Sequence, residues 1–222
     1  MKRLTFFVLL LGFLGFCWFK FTDFEKTLSE NKEGGEVFHS NKDVYAYLKV
    51  DGTNIDYPVA QHPEDDAYYL SHDFDNNETV YGAVFTERFN KKDFNDFATI
   101  IYGHATRDGS MFGTLELFSD RAFFDKNTSI MIRTAQETIL YEVFAAYSYT
   151  DEHLYHTFHL DNKESYKNYL GKIKEISAQL NGNYRDIALN ENDKLLILST
   201  CDAEKEGRRF VVHARERERS PV

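Results

Sequence analysis

Cys201 closes the run Leu195-Leu196-Ile197-Leu198-Ser199-Thr200, which reads as a buried strand emerging into a loop. Strand ends are where rigid scaffolds present reactive groups. A thiol attacks a carbonyl as its thiolate, and a thiolate needs an imidazole or a cation beside it in a partly exposed pocket. His104 is the best placed of the eight histidines: it follows Thr99-Ile100-Ile101-Tyr102-Gly103, again at the C-terminal edge of an apolar strand, and Gly103 leaves room for close approach. Arg208 and Arg209 come just after Gly207 and open the run Phe210-Val211-Val212, so a short loop returns a guanidinium toward the thiol. A planar, permanently charged guanidinium suits backbone carbonyls and a developing oxyanion better than the point charge of lysine. The chemistry these three types support together is acyl transfer through a thioester. Singly, each is weak, because a strand-end cysteine often packs, a histidine after glycine often serves a turn, and paired arginines usually face solvent.

Other candidate ligands carry less. His153, His156 and His159 are three apart and would share part of a helical face, but no carboxylate or cysteine completes a tetrahedral zinc set, so packing or surface roles suit them better. Asp73-x-Asp75-x-Asn77 imitates the start of a calcium loop, yet Glu78 stands where glycine is needed and Val84 where a bidentate acid is needed. No metal or cofactor is expected. With 36 acidic against 26 basic residues the net charge is −10, which opposes an extended phosphate-binding surface and argues against nucleic acid as a partner.

The elements that must position the three residues begin after a membrane signal. Met1-Lys2-Arg3 precedes an apolar run from Leu4 to Phe19, which Lys20 and Phe21 extend toward the ~20 residues of a spanning helix. Bulky Phe16, Cys17, Trp18 and Phe19 offer no small-x-small cleavage site, so residues 1–21 read as an uncleaved anchor. Lys2 and Arg3 then stay cytoplasmic, and the rest of the chain lies outside the cell. Of the two cysteines, Cys17 sits in the membrane segment, which leaves Cys201 a lone thiol in an oxidising compartment.

Residues 22–43 are polar and charged, a stalk with a short helix, and the folded domain covers 44–222. Val44 to Val50, Asp51-Gly52 and Ile55 to Val59 read as a hairpin. Further strands are expected at Tyr81–Thr86, Ala98–Tyr102, Ser129–Arg133, Thr138–Tyr149, Lys194–Thr200 and Arg209–Ala214. Apolar residues at Tyr166, Tyr169, Leu170, Ile173, Ile176 and Leu180 fall on one face of a helix over Asp161–Leu180, and a shorter helix is expected at Met111–Phe118. The sign-alternating run Arg215 to Arg219 reads as a solvated tail. Many strands, few helices and no strand-helix alternation indicate a mostly β fold, a closed barrel of about eight strands with inserted helices.

The joint wording is more specific than its parts. Leu198-Ser199-Thr200-Cys201-Asp202 and Arg209-Phe210-Val211-Val212, with Tyr102-Gly103-His104 and Ser110-Met111-Phe112 upstream, resemble the sortase family, most closely its class B, over about Val44 to Arg215. The long helix before the Cys201 strand agrees with a helix that class B members insert there. Ile197 departs from the family's wording, which has threonine at that place. The resemblance implies an eight-stranded barrel and a catalytic His104, Cys201 and Arg209, with Arg208 as second choice. It also implies a cysteine transpeptidase that cleaves the C-terminal sorting signal of a surface protein and passes it to an amine, either of a peptidoglycan cross-bridge or of a pilin lysine. Ser199, Thr200, Asp202 and Leu70 are the expected substrate contacts. Two rival classes remain open from residues alone: a papain-like thiol hydrolase, although papain-type enzymes place the cysteine early and on a helix, and a non-enzymatic, membrane-tethered binding domain.

Overall fold

The computed structural model describes residues 41–201 and 207–222. The expected anchor at 1–21, most of the stalk and Asp202 lie outside the described residues. Among the described residues no helix is long and apolar enough to cross a membrane.

Eight strands form one sheet: β1 Val44–Val50, β2 Asp56–Ala60, β3 Ala98–His104, β4 Ser129–Thr134, β5 Glu137–Thr150, β6 Asn183–Tyr184, β7 Leu195–Cys201 and β8 Arg208–Pro221. Their order is β2-β1-β4-β5-β8-β7-β3, with β6 paired to β5. β1 shows why the chain makes strands here: Val44, Ala46, Leu48 and Val50 are buried while Tyr45, Tyr47 and Lys49 between them are half-exposed, the period-2 pattern of a sheet with one face on the core. β7 is buried on both faces from Leu195 to Thr200, and its near-continuous apolar run is what a covered strand requires.

Two strand expectations change. Tyr81–Thr86 is not a strand but an extended segment with single bridges. Phe85 bridges Ala60 of β2 on one side and Tyr102 of β3 on the other, with Phe85 and Tyr102 exchanging N–H···O bonds of 3.0 and 2.8 Å. This segment joins the two ends of the sheet path and so nearly closes the barrel. Gly82, at φ +58°, and the turn at Val80–Tyr81 keep the ladder from extending. The second change is at the C-terminus: Arg215 to Arg219 is no solvated tail but the outer half of β8, which pairs with β5 down to Glu137↔Pro221. Arg215 bridges Glu142 at 3.2 Å, and Arg219 bridges Glu137 at 2.6 Å and Glu216 at 2.9 Å. Alternating sign has the period of a strand as well as that of a solvated coil, and these half-buried pairs explain which one won.

Helices fill the connections. The short helix expected at Met111–Phe118 is displaced: Met111 sits at φ +47°, a 3₁₀ turn runs Leu115–Ser119, and α1 follows at Arg121–Lys126. Asp120 closes the 3₁₀ turn, its N–H donating to the Leu117 carbonyl, and is also the N-cap of α1, its carboxylate accepting the Phe123 N–H. α2 covers Leu154–Phe158, and His153 and His159 are its caps. The long helix α3, Lys163–Gln179, begins at the N-cap Asn162 and buries Tyr166, Tyr169, Leu170, Ile173 and Ser177 against the barrel. Ile176 is half-buried and Leu180 exposed, so the apolar face ends one turn early. Asn181 at φ +55° and Gly182 terminate it, with the Gly182 N–H returning to Ser177 O.

α3 is pinned through a buried imidazole. His213 of β8 is fully buried, its Nε2 is hydrogen-bonded to the Tyr169 hydroxyl at 2.6 Å, and its Nδ1 has no partner. Burial therefore drives its pKa down to about 3, since the charged ring would lose the hydration it has in water. The folded pKa lies below the ordinary 6.5, so the unfolded chain binds more protons between these values, and stability falls as pH drops through that window. We expect urea unfolding to show a loss of several kcal/mol between pH 7 and pH 4. His213→Gln, which keeps a polar partner for the Tyr169 hydroxyl but cannot titrate, should flatten that slope; equal slopes would contradict this account.

Candidate active site

Three neighbouring strands carry the three candidate residues into one row. β3 and β7 run parallel, and their register pairs His104 with Cys201. β7 and β8 run antiparallel, and their register pairs Cys201 with Arg209. On β5 the row continues to Tyr149 opposite Arg209. Paired strands lie ~4.8 Å apart, so the backbone sets His104, Cys201 and Arg209 at neighbouring positions of one row. Arg208, the second-choice arginine, is exposed and pairs with Thr150, outside this row.

The next row on the same face, Tyr102, Ser199, Val211 and Tyr147, is 7%, 2%, 0% and 1% exposed. It forms a packed base beneath the first. Ser199 belongs to this base, and Thr200, buried in turn, falls on the opposite, core-facing side of β7 with Leu196 and Leu198. Both were expected as substrate contacts, and both stand within the packed wall.

His104 is held from one side. Its Nε2–H donates to the Leu70 carbonyl oxygen at 2.8 Å. Leu70 ends a 3₁₀ turn, Tyr68–Leu70, and the residue is 40% exposed, open to a ligand. Gly103 has the use its size suggests: a Cβ there would lie 2.9–3.1 Å from the Phe112 ring, so only glycine lets that fully buried ring pack under the end of β3. Two residues back, Tyr102 O–H lies 3.3 Å from His153 Nε2, which donates to Glu87 Oε2 at 2.8 Å. His153 therefore ties the start of α2 to the Phe85 segment. Among the described residues no group of three or more His, Cys, Asp or Glu side chains is arranged to hold a metal ion.

Sequence reasoning missed the Leu70 carbonyl, since a backbone acceptor leaves no side-chain signature. It also missed the Glu87–His153–Tyr102 link, which joins residues from three distant segments.

The family model described as the sortase domain matches residues 48–217. The chain belongs to the sortase family. Proteins of this family are typically associated with the cell surface. This sortase is 32% identical over 166 residues to sortase B of Listeria monocytogenes, a match that takes in 75% of this chain and 65% of that protein. It thus spans less than two thirds of that relative's length. The solved structure of Clostridium perfringens sortase B superposes with a TM-score of 0.73 at 30% identity, covering 83% of this chain and 100% of that one. A Streptococcus pyogenes class B sortase involved in pilus biogenesis superposes with a TM-score of 0.71 at 27% identity, covering 85% of this chain and 100% of that one. The nearly closed, mostly β barrel of eight strands with few helices matches these class B structures.

Proposed function

We infer that this chain is a cysteine transpeptidase of the cell surface, with Cys201 as nucleophile, His104 as acid and base, and Arg209 as the stabiliser of negative charge. The observation that carries this reading is the register that pairs His104 with Cys201 and Cys201 with Arg209, within a chain of the sortase family. The substrate is the sorting-signal peptide of a surface protein or pilin. The acceptor is an amine, of a peptidoglycan cross-bridge or of a pilin lysine, and no cofactor takes part. Residues 1–21 anchor the chain in the membrane by a single span, and the catalytic domain stands outside the cell. Leu70, which is exposed, and Asp202, which lies outside the described residues, are the substrate contacts we retain, while Ser199 and Thr200 support the site from within the wall.

The chemistry follows from the row. The Cys201 thiolate attacks the scissile carbonyl, and the oxyanion that forms is steadied by the Arg209 guanidinium. The C–N bond breaks as the His104 imidazolium gives its proton to the departing amine, leaving a thioester and a neutral ring. An incoming amine attacks the thioester, its proton passes to His104, and the C–S bond breaks to release the new amide and restore the thiolate. The apolar base of Tyr102, Val211 and Tyr147 keeps water from approaching the thioester from below.

The test offers the full chain a library of signal-type peptides together with an amine acceptor and reads the product masses. The expected product is the acceptor amide, rising with acceptor concentration. Hydrolysed peptide alone at every acceptor concentration would favour the thiol hydrolase instead.

A further inference from the structure

A carbonyl oxygen only accepts, so the 2.8 Å contact with Leu70 O puts a proton on His104 Nε2 in the neutral ring as well as in the cation. The nitrogen that exchanges protons is then Nδ1. How firmly this holds depends on what fixes the carbonyl. The turn carrying it is tied down from behind: Tyr69 is 1% exposed, its hydroxyl donates to Asp43 Oδ2 at 2.9 Å and accepts from Asn41 Nδ2 at 3.0 Å, and its carbonyl accepts the Ala83 N–H at 2.9 Å. From the front it meets Gly82. A Cβ added to Gly82 would overlap the Tyr69 carbonyl oxygen, and would lie 2.9 Å from Leu70 O and 3.1 Å from His104 Cδ2. The residue also adopts φ +58°, a conformation that glycine takes without strain. Both partners of the hydrogen bond thus touch the one place where a side chain is missing.

We propose that Gly82 is a positioning residue for the reaction: by packing bare backbone against Leu70 O and the His104 ring, it locks His104 in the Nε2–H tautomer, so that Nδ1 alone delivers and receives the proton. The inference rests on the reading of His104 as acid and base given above. In acylation the imidazolium passes its Nδ1 proton to the departing amine and is left as the Nε2–H tautomer, still bonded to Leu70 O. In the second half-reaction the attacking amine returns a proton to Nδ1. No ring flip or tautomer exchange intervenes between the two steps, because the retained proton never leaves Nε2.

The test is histidine ¹⁵N NMR on the full-length chain, with the His104 signals assigned by their loss in His104→Gln, alongside steady-state kinetics. In the native chain at a pH where the ring is neutral, His104 should show a protonated, pyrrole-type Nε2 and an unprotonated, pyridine-type Nδ1. Gly82→Ala should mix the two tautomers and lower kcat by ~10- to 100-fold, as expected for a small misplacement of a reacting group, with little change in KM. Gly109→Ala is the control, since Gly109 has φ +77° but its added Cβ would meet nothing nearer than 3.5 Å. It carries the backbone strain without the contact and should leave tautomer and kcat unchanged. A native His104 protonated on Nδ1 would overturn the proposal, and so would a Gly82→Ala chain that keeps both tautomer and kcat. Should Gly82→Ala fail to fold, the native tautomer still decides. Because that signal is read without substrate, it also stands apart from any failure of the transpeptidase reading itself.

Discussion

Cys201→Ala is expected to abolish formation of the acceptor amide, by on the order of 10⁴-fold or more, while the thermal unfolding midpoint stays close to that of the native chain. Loss of a nucleophile that forms a covalent intermediate removes the pathway and not merely some of its stabilisation, which is why the effect is so large. The fold should tolerate the change because residue 201 is the last of β7, and the apolar packing of that strand lies earlier, in Leu195 to Leu198. The same variant separates the enzyme from a binding domain. A tethered binding module with an inert thiol would keep its peptide affinity and show no turnover in either form. Rates measured by product mass for native and variant chains check this; a variant retaining a tenth of native turnover would contradict the assignment.

The second large effect concerns charge. Arg209→Ala should lower kcat by ~10²- to 10³-fold, the usual cost of removing a donor aimed at a developing oxyanion. Arg209→Lys should recover little of that, since an ammonium offers a point charge where a planar fork is needed. Arg208→Ala should cost far less. The contrast follows from register: Arg209 stands opposite Cys201, whereas Arg208 pairs with Thr150 and is exposed. Comparing kcat and KM for the three variants is the check, and a profile in which Arg208 carries the larger loss would shift the guanidinium role by one residue.

Much of this arrangement is legible in the sequence, and the reasons are local. β1 alternates, β7 is apolar throughout, and α3 repeats its apolar residues at three- and four-residue steps, so period alone identifies them. Failures came where two structures share one pattern. Arg215 to Arg219 alternates as a strand does, but only the facing Glu137 and Glu142 of β5 make it one. Tyr81–Thr86 has strand composition, yet Gly82 turns the backbone beneath Leu70, leaving single bridges at Phe85. Asp120 ends the 3₁₀ turn and begins α1 at once, a double role that composition does not reveal. At the site, residue types pointed to His104, Cys201 and Arg209, but their pairing in one row depends on the parallel register of β3 with β7, which joins segments almost a hundred residues apart. The Leu70 carbonyl was invisible for a different reason, because every residue has one and only the fold says which meets the imidazole.

The most direct test of the central claim is a peptide map, by mass spectrometry, of the full-length chain caught during turnover with its signal peptide. The account predicts an acyl group on the Cys201 peptide, none on Cys17, and its release when hydroxylamine is added. Product accumulating with no adduct on Cys201, or an adduct carried by another residue, would contradict it.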